Sequence, residues 1–209
     1  KKLDSDTVAE SESLPIRVGL AVHEVLGSCP IEALTKAMSS ASTDAMCPDI
    51  ETAGTKYRVE AAKIESVVGN ALTAPLMHRA IGATRLWREI PLAVSVDSIV
   101  VDGIADLVFE EPNGLVVVDY KTASPPNQVE AENAATEFRP QMAAYCDALT
   151  QATGKPVQEA VVLFIGGANA IDVKLDSVVS LIQEFRLLVT AQEGASSDGS
   201  PLTLFSKSY

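Results

Sequence analysis

One stretch of the sequence, residues 101–122, reads VDGIADLVFEEPNGLVVVDYKT and carries three ionisable side chains inside runs that are otherwise almost wholly apolar: Asp106, Asp119 and Lys121. Two apolar runs joined by a turn rich in Pro, Asn and Gly are typical of antiparallel strands in a buried sheet. Because an isolated charge is costly to bury, these side chains must pair with one another or bind an ion. The segment therefore predicts a central β-hairpin that contains a polar site.

The spacing within this segment predicts how the three side chains meet. Asp119 and Lys121 are two residues apart, so on a strand they project from one face while Tyr120 projects from the other. Asp106 lies on the preceding strand, close enough across the hairpin for its carboxylate to approach that of Asp119. Two adjacent carboxylates repel unless a cation lies between them, and hard oxygen donors suit Mg²⁺ or Mn²⁺.

The lysine beside such a cation has a chemical role. Its ammonium can hold water near the metal or neutralise the charge that develops on a phosphate under attack, which predicts phosphodiester hydrolysis. The alternative for an isolated Asp-x-Lys is an ordinary salt bridge at a strand end, with Asp106 capping a turn. The apolar runs and their order along the chain favour the catalytic interpretation over this alternative.

Hydrophobic periodicity gives the surrounding elements. Helical spacing predicts helices at residues 17–38 (interrupted at Gly27 and Pro30), 55–76 (kinked near 69–70 and ended by Pro75), 134–149 and 178–188. Two-residue alternation or short apolar runs predict strands at residues 86–96, 99–109, 115–120, 161–165 and 170–173. Segment 123–137 has the composition of a loop. This order predicts an α/β fold in which helices cover a central mixed sheet, with residues 1–13 as a flexible arm and residues 14–209 as one domain.

Composition limits the classes of function. The chain has 16 Lys and Arg against 28 Asp and Glu, a net charge of −12, so we expect the isolated domain to bind DNA weakly. No apolar run approaches the roughly 20 residues of a membrane span. An odd, widely spaced set of cysteines favours reduced thiols in the cytoplasm. The sequence contains no phosphate-binding loop, and no glycine-rich cofactor loop or nucleophile pattern that would indicate a small-molecule α/β enzyme.

Five pieces of the sequence between Gly19 and Phe164 resemble the nuclease domain of the RecB and AddA family, part of the PD-(D/E)XK superfamily and often found at the C-terminus of UvrD-like helicases. The matched pieces are GLAVHEVL, REIPL, GIADLVF, VVDYKT and FRPQMAAYCDAL. The resemblance implies a restriction-endonuclease-like core. A first residue other than Met and the lack of helicase motifs favour a C-terminal fragment of a larger helicase.

The resemblance also implies roles for individual residues. The metal ligands would be His23, Asp106, Asp119 and the backbone carbonyl of Tyr120. Lys121 would be catalytic, and Glu89, before the paired strands, would support the site. Gln141 and Tyr145, four residues apart on one helix face, would face the site and the DNA strand, although an ordinary amphipathic helix is the alternative for this pair. Only Cys146 follows the DYKT segment, so no iron–sulfur cluster is predicted.

Two hypotheses remain from the sequence. The first is a Mg²⁺- or Mn²⁺-dependent nuclease of the bacterial cytoplasm that degrades single-stranded DNA ends during double-strand-break repair and recombination. Its partners would be the helicase domain of the same polypeptide and a partner subunit. The second is a non-catalytic scaffold or DNA-end guide in a helicase–nuclease complex, which the acidic net charge favours.

Overall fold

The computed structural model describes residues 12–193, within which one five-stranded sheet lies between two groups of helices. The first group precedes the sheet and consists of α1 (Leu14–Ser28), α2 (Ile31–Ser40), α3 (Cys47–Tyr57), α4 (Ala61–Thr73) and α5 (Pro75–Ile81). The second group consists of α6 (Gln128–Ala135), α7 (Arg139–Thr153) and α8 (Val178–Glu193). No helix in residues 12–193 combines the length and hydropathy needed to cross a membrane.

The sheet is mixed, and its strands lie in chain order. They are β1 (Arg85–Val96), β2 (Ile99–Glu111), β3 (Gly114–Lys121), β4 (Val157–Phe164) and β5 (Ile171–Lys174). Strands β3 and β4 pair in parallel, connected through α6 and α7, whereas the other neighbouring pairs are antiparallel. This architecture confirms the predicted fold class, a mixed sheet with helical cover.

Each face of the sheet packs against a separate hydrophobic core. One core lies under α1 to α5 and takes Leu107 and Val116 from the central strands, while the other lies under α6 to α8 and takes Val108 and Val117. Every residue of β3 is buried because helices cover both of its faces. This double cover explains why the segment before Asp119 is continuously apolar rather than alternating.

The N-terminal helices differ from the sequence prediction. The predicted helix 55–76 is wrong as a single element, because α3 ends where Arg58 adopts a left-handed conformation (φ 52°) and α4 begins only at Ala61. Residues 69–70, where a kink is predicted, lie within the continuous helix α4. Helix α4 does end before Pro75, as predicted, and Pro75 then begins α5.

Segment 123–137, predicted as a loop, contains α6 and a short 3₁₀ turn at Thr136–Phe138. Helix α6 has only a weak apolar periodicity, and its start is fixed locally by the Asn127 side chain, which accepts a hydrogen bond from the Glu130 N–H at 3.0 Å. The predicted arm at residues 1–13 lies almost wholly outside the described residues.

Candidate active site

The candidate site begins on the two antiparallel strands β1 and β2. The residues that flank Glu89 pair with the residues that flank Asp106, so the register sets these two acidic residues opposite each other. Glu89 itself has a positive φ of 49°, which interrupts the regular strand and turns its side chain out of the usual alternation. The two carboxylates can therefore approach one another from adjacent strands.

A third acidic residue, Asp119, lies on the next strand, β3. The ladder between β2 and β3 ends at the pair Leu107 and Val118, which directly adjoin Asp106 and Asp119 along their strands. At this point the Asp106 Oδ2 accepts a hydrogen bond from the Tyr120 N–H at 2.7 Å, so the side chain satisfies a backbone donor where the ladder stops. The charge of Asp106 acts on Asp119, and the expected approach of the two carboxylates across the hairpin stays a prediction.

His23 reaches these acidic residues from α1. Its Nδ1 lies 3.0 Å from Asp106 Oδ1 and 3.9 Å from Glu89 Oε1. One donor atom from each of His23, Glu89 and Asp106 lies within 4.8 Å of the others, a spacing at which one ion can contact all three. A mixed nitrogen and carboxylate set of this kind fits a divalent metal.

Two residues that the sequence analysis missed hold α1 against Glu89. A Cβ on Gly27 would lie 2.5 Å from the Glu89 Cγ, so only glycine leaves room for that side chain beside the helix. Arg88 donates hydrogen bonds to the backbone carbonyls of Leu26 and Cys29 at 2.9 and 2.8 Å, which caps the end of α1. In the sequence, Gly27 is visible only as an interruption of helical spacing.

Asp119 and Lys121 share one face of β3, as predicted. The Lys121 Nζ lies 2.8 Å from Asp119 Oδ2, and both side chains are almost fully buried. The Tyr120 side chain points into the opposite core, where its hydroxyl contacts the Met77 Sδ at 3.5 Å. The Tyr120 backbone therefore lies beside Asp106, between the two faces of the sheet. Its carbonyl is a predicted metal ligand.

The electrostatics of the site reflect an excess of buried negative charge. Burial, together with the neighbouring Asp106 carboxylate, raises the pKa of Asp119 to about 6. Burial alone would lower the pKa of His23, but its contacts with Asp106 and Glu89 and the charge of Asp119 together outweigh this effect and raise the pKa to about 9. A cation placed among these groups would favour the ionised carboxylates and the neutral imidazole.

Gln141 and Tyr145 lie on the buried face of α7, and the Gln141 Nε2 donates a 2.7 Å hydrogen bond to the Tyr145 hydroxyl. Tyr145 rests on Gly103 of β2, where an added Cβ would lie 2.7 Å from its ring. Burial raises the pKa of Tyr145, and the charges of Asp119 and Asp106 raise it further. The Tyr145 hydroxyl is therefore within electrostatic range of both carboxylates. Gly103 is therefore a second glycine that the packing of a site residue requires.

The sequence profile of the PD-(D/E)XK nuclease superfamily matches residues 2–193. The chain belongs to this superfamily. The resemblance drawn from the five motif pieces is confirmed by relatives named as subunits of ATP-dependent helicase/nuclease enzymes. The relative from Anoxybacillus flavithermus is 31% identical over 123 residues, which are 54% of this chain and 10% of that protein. The relative from Acetivibrio thermocellus is 30% identical over 129 residues, again 10% of its length.

A solved structure supports the same fold. A Eubacterium rectale protein described as a candidate exonuclease superposes with a TM-score of 0.54 at 12% sequence identity, over 88% of this chain and 66% of the other. Such low identity establishes a shared PD-(D/E)XK fold alone. The present chain spans about a tenth of the length of the curated relatives it matches.

Proposed function

We propose that this chain is a divalent-metal-dependent DNA nuclease whose centre consists of Asp106, Asp119 and Lys121. The observation that carries the proposal is the gathering of Glu89, Asp106 and Asp119 on three adjacent strands, next to the buried Lys121. These three carboxylates face two cationic side chains, Lys121 and the protonated His23, so one negative charge is left over, which is costly to bury unless a cation binds there.

The donor set supports Mg²⁺ or Mn²⁺ as that cation. His23, Glu89 and Asp106 already have donor atoms within 4.8 Å of one another, and we assign Asp119 and the Tyr120 carbonyl to the same ion. A bound ion of this type polarises a phosphoryl oxygen and makes water a better nucleophile at neutral pH. Glu89, for which the sequence suggested a supporting role, is close enough to bind directly.

The remaining residues bind and orient the substrate in this proposal. The Lys121 ammonium, held beside Asp119, faces the charge that develops on the phosphate during attack. The amide of Gln141 and the ring of Tyr145 line the side of the site that α7 covers, where they fix the position of the scissile strand. The hydrogen bond between them keeps both side chains in one arrangement before DNA binds.

The acidic charge of the chain indicates how DNA reaches the site. With a net charge of −12, the domain cannot rely on its own electrostatics to capture a phosphate backbone. We therefore propose that a helicase domain in the same polypeptide, with a partner subunit, feeds unwound single strands to it. The biological role would be exonucleolytic processing of double-strand breaks during repair and recombination in the bacterial cytoplasm.

The test is cleavage of end-labelled single-stranded DNA at low salt with Mn²⁺ or Mg²⁺, with Asp119→Ala and Lys121→Ala as variants. We expect both variants to reduce cleavage on the order of 10³-fold, to a residual rate that single-turnover assays can still measure, while Ca²⁺ binds without supporting cleavage. Absence of cleavage together with absence of Mn²⁺ binding in calorimetry would favour the scaffold function instead. Metal binding without cleavage would call for the same assay on the chain fused to a helicase domain.

A further inference from the structure

The ammonium group of Lys121 has a second contact besides Asp119. Its Nζ lies 4.3 Å from the centroid of the Phe138 ring. Phe138 and Lys121 are 7% and 3% exposed, so water is largely excluded from both. Cation–π contacts form within roughly 6 Å of a ring centroid and are strongest when water is excluded. Both conditions are met here, so we expect the contact between Lys121 and Phe138 to be a strong one.

The position of the Phe138 ring is fixed from several sides. Phe138 ends the 3₁₀ turn Thr136–Phe138 that leads into α7, and its ring packs at 57° against that of Phe164, with centroids 6.5 Å apart. Phe164 is the partner of Lys121 in the parallel β3–β4 register. The next residue, Arg139, bonds the Glu184 carboxylate of α8 at 2.9 Å, which anchors the turn from its outer side.

We propose that Phe138 is a positioning residue that holds the Lys121 ammonium at the reaction centre. The inference rests on the proposed nuclease function and deepens it. A lysine has a flexible four-carbon stem, and the carboxylate beside its ammonium, Asp119, is also assigned to the metal. When Asp119 binds the ion, its electrostatic attraction for the Lys121 ammonium is weaker. The ring contact does not compete with the ion and keeps the ammonium in place.

The first test compares Phe138→Leu, which removes the aromatic face, with Phe138→Tyr, which keeps it. We expect kcat to fall about tenfold in Phe138→Leu with KM little changed, and to be retained in Phe138→Tyr. Phe185→Leu is the matched control, because it also removes a buried ring from the core under α6 to α8. An equal loss in Phe138→Tyr, or in the control, would overturn the proposal.

A double-mutant cycle separates action through the lysine from a general packing effect. In a Lys121→Ala background, measured by single-turnover cleavage at high enzyme concentration, Phe138→Leu should cause no further loss. A full tenfold loss in that background would refute a role through Lys121. If the leucine variant does not fold, pentafluorophenylalanine at position 138 keeps the shape of the ring but removes its negative face, and we expect the same tenfold loss.

A measurement independent of activity distinguishes this inference from the proposed function. In the NMR spectrum of the wild-type chain, the ring current of Phe138 should move the Lys121 ε-methylene protons upfield, and Phe138→Leu should abolish that shift. Absence of the shift in the wild-type chain would refute the contact whether or not the chain cleaves DNA. The shift in a chain that neither binds metal nor cleaves DNA would refute the nuclease function, and with it the positioning role, but not the contact.

Discussion

Two aspartates in this protein are equally buried, at 2% exposure each, but have different surroundings. Asp147 on α7 accepts a pair of hydrogen bonds from Arg186 at 2.8 and 2.7 Å and a third from Gln151 at 3.0 Å. Asp119 on β3 has the Lys121 ammonium on one side and the Asp106 carboxylate on the other. One carboxylate is fully satisfied by protein donors, whereas the other is crowded by like charge.

The difference shows how the surroundings of a structural carboxylate differ from those of a carboxylate proposed to bind a metal. A buried anion with a bidentate arginine and a third donor needs nothing further, and its role is to join α7 to α8. A buried anion with a second anion beside it is stable only when a cation shares the space. The Asp147 and Asp119 carboxylates are equally buried, so burial does not distinguish them. What distinguishes them is how many hydrogen-bond donors, compared with other carboxylates, surround each one.

The largest effect is expected from Asp119→Asn. We expect cleavage to fall on the order of 10³-fold, as when a group that stabilises the transition state is lost. The folded state should not be destabilised at pH 7, because the folded pKa of about 6 lies above the ordinary value of 3.8 and the ionised side chain is costly above it. Cleavage kinetics and thermal melting of the same variant test this; a lower melting temperature without loss of cleavage would make Asp119 resemble Asp147.

The second largest effect is expected from a divalent metal, which should stabilise the folded protein by binding beside Asp106 and Asp119. At about 100 times the dissociation constant, Mn²⁺ should add about 2.7 kcal/mol to the free energy of unfolding, and EDTA should remove that gain. The gain should vanish in Asp106→Ala and persist in Asp147→Asn, as followed by thermal melting with and without metal. An equal gain in both variants would mean that the ion binds elsewhere.

Removal of the arginine partner should affect stability alone. Arg186→Met leaves Asp147 buried with only the Gln151 amide, which we expect to cost about 2 kcal/mol, since the half-exposed arginine site admits water. Urea denaturation measures the loss, and the kcat of the folded fraction should match that of the wild type. A tenfold lower kcat would show that the α7–α8 contact also shapes the active site.

The smallest expected effect is the pH dependence of metal affinity. His23, with a pKa of about 9, must lose its proton to bind a metal, so affinity should rise by up to about tenfold per pH unit as the pH increases toward 9. Mg²⁺ titrations at pH 7.5 and pH 8.5 measure the slope, which over this interval is at most about tenfold, or about 1.4 kcal/mol. His23→Gln should flatten it, and an unchanged slope in that variant would exclude His23 as a ligand.

The polar part of the site could be predicted from the sequence because its geometry is local. Alternation along β3 sets Asp119 and Lys121 on one face, and a short turn brings Asp106 across from them. The periodicity of an apolar strand and the length of a turn are enough for such a prediction. The same local rules predicted the hairpin and the mixed sheet.

Other features depend on contacts that no local pattern encodes. The Glu89 side chain fits against α1 because Gly27, far away in the chain, has no Cβ. The pairing of Asp147 with Arg186 spans 39 positions, and the ring of Phe138, in the predicted helix 134–149, reaches Lys121 on β3. Each of these contacts is set by how the helices pack on the sheet, which periodicity does not specify.

The turn between β2 and β3 has a consequence for how this protein tolerates change. Residues 112 and 113 lie between the last cross-strand pair, Glu111 and Gly114, and their number fixes which residues of the two strands face each other. A different residue at either position leaves that count intact. One inserted residue would slip the strands and turn Asp106 away from Asp119. We therefore expect the length of this turn, rather than the identity of its two exposed residues, to be what the proposed active site on the neighbouring strands requires.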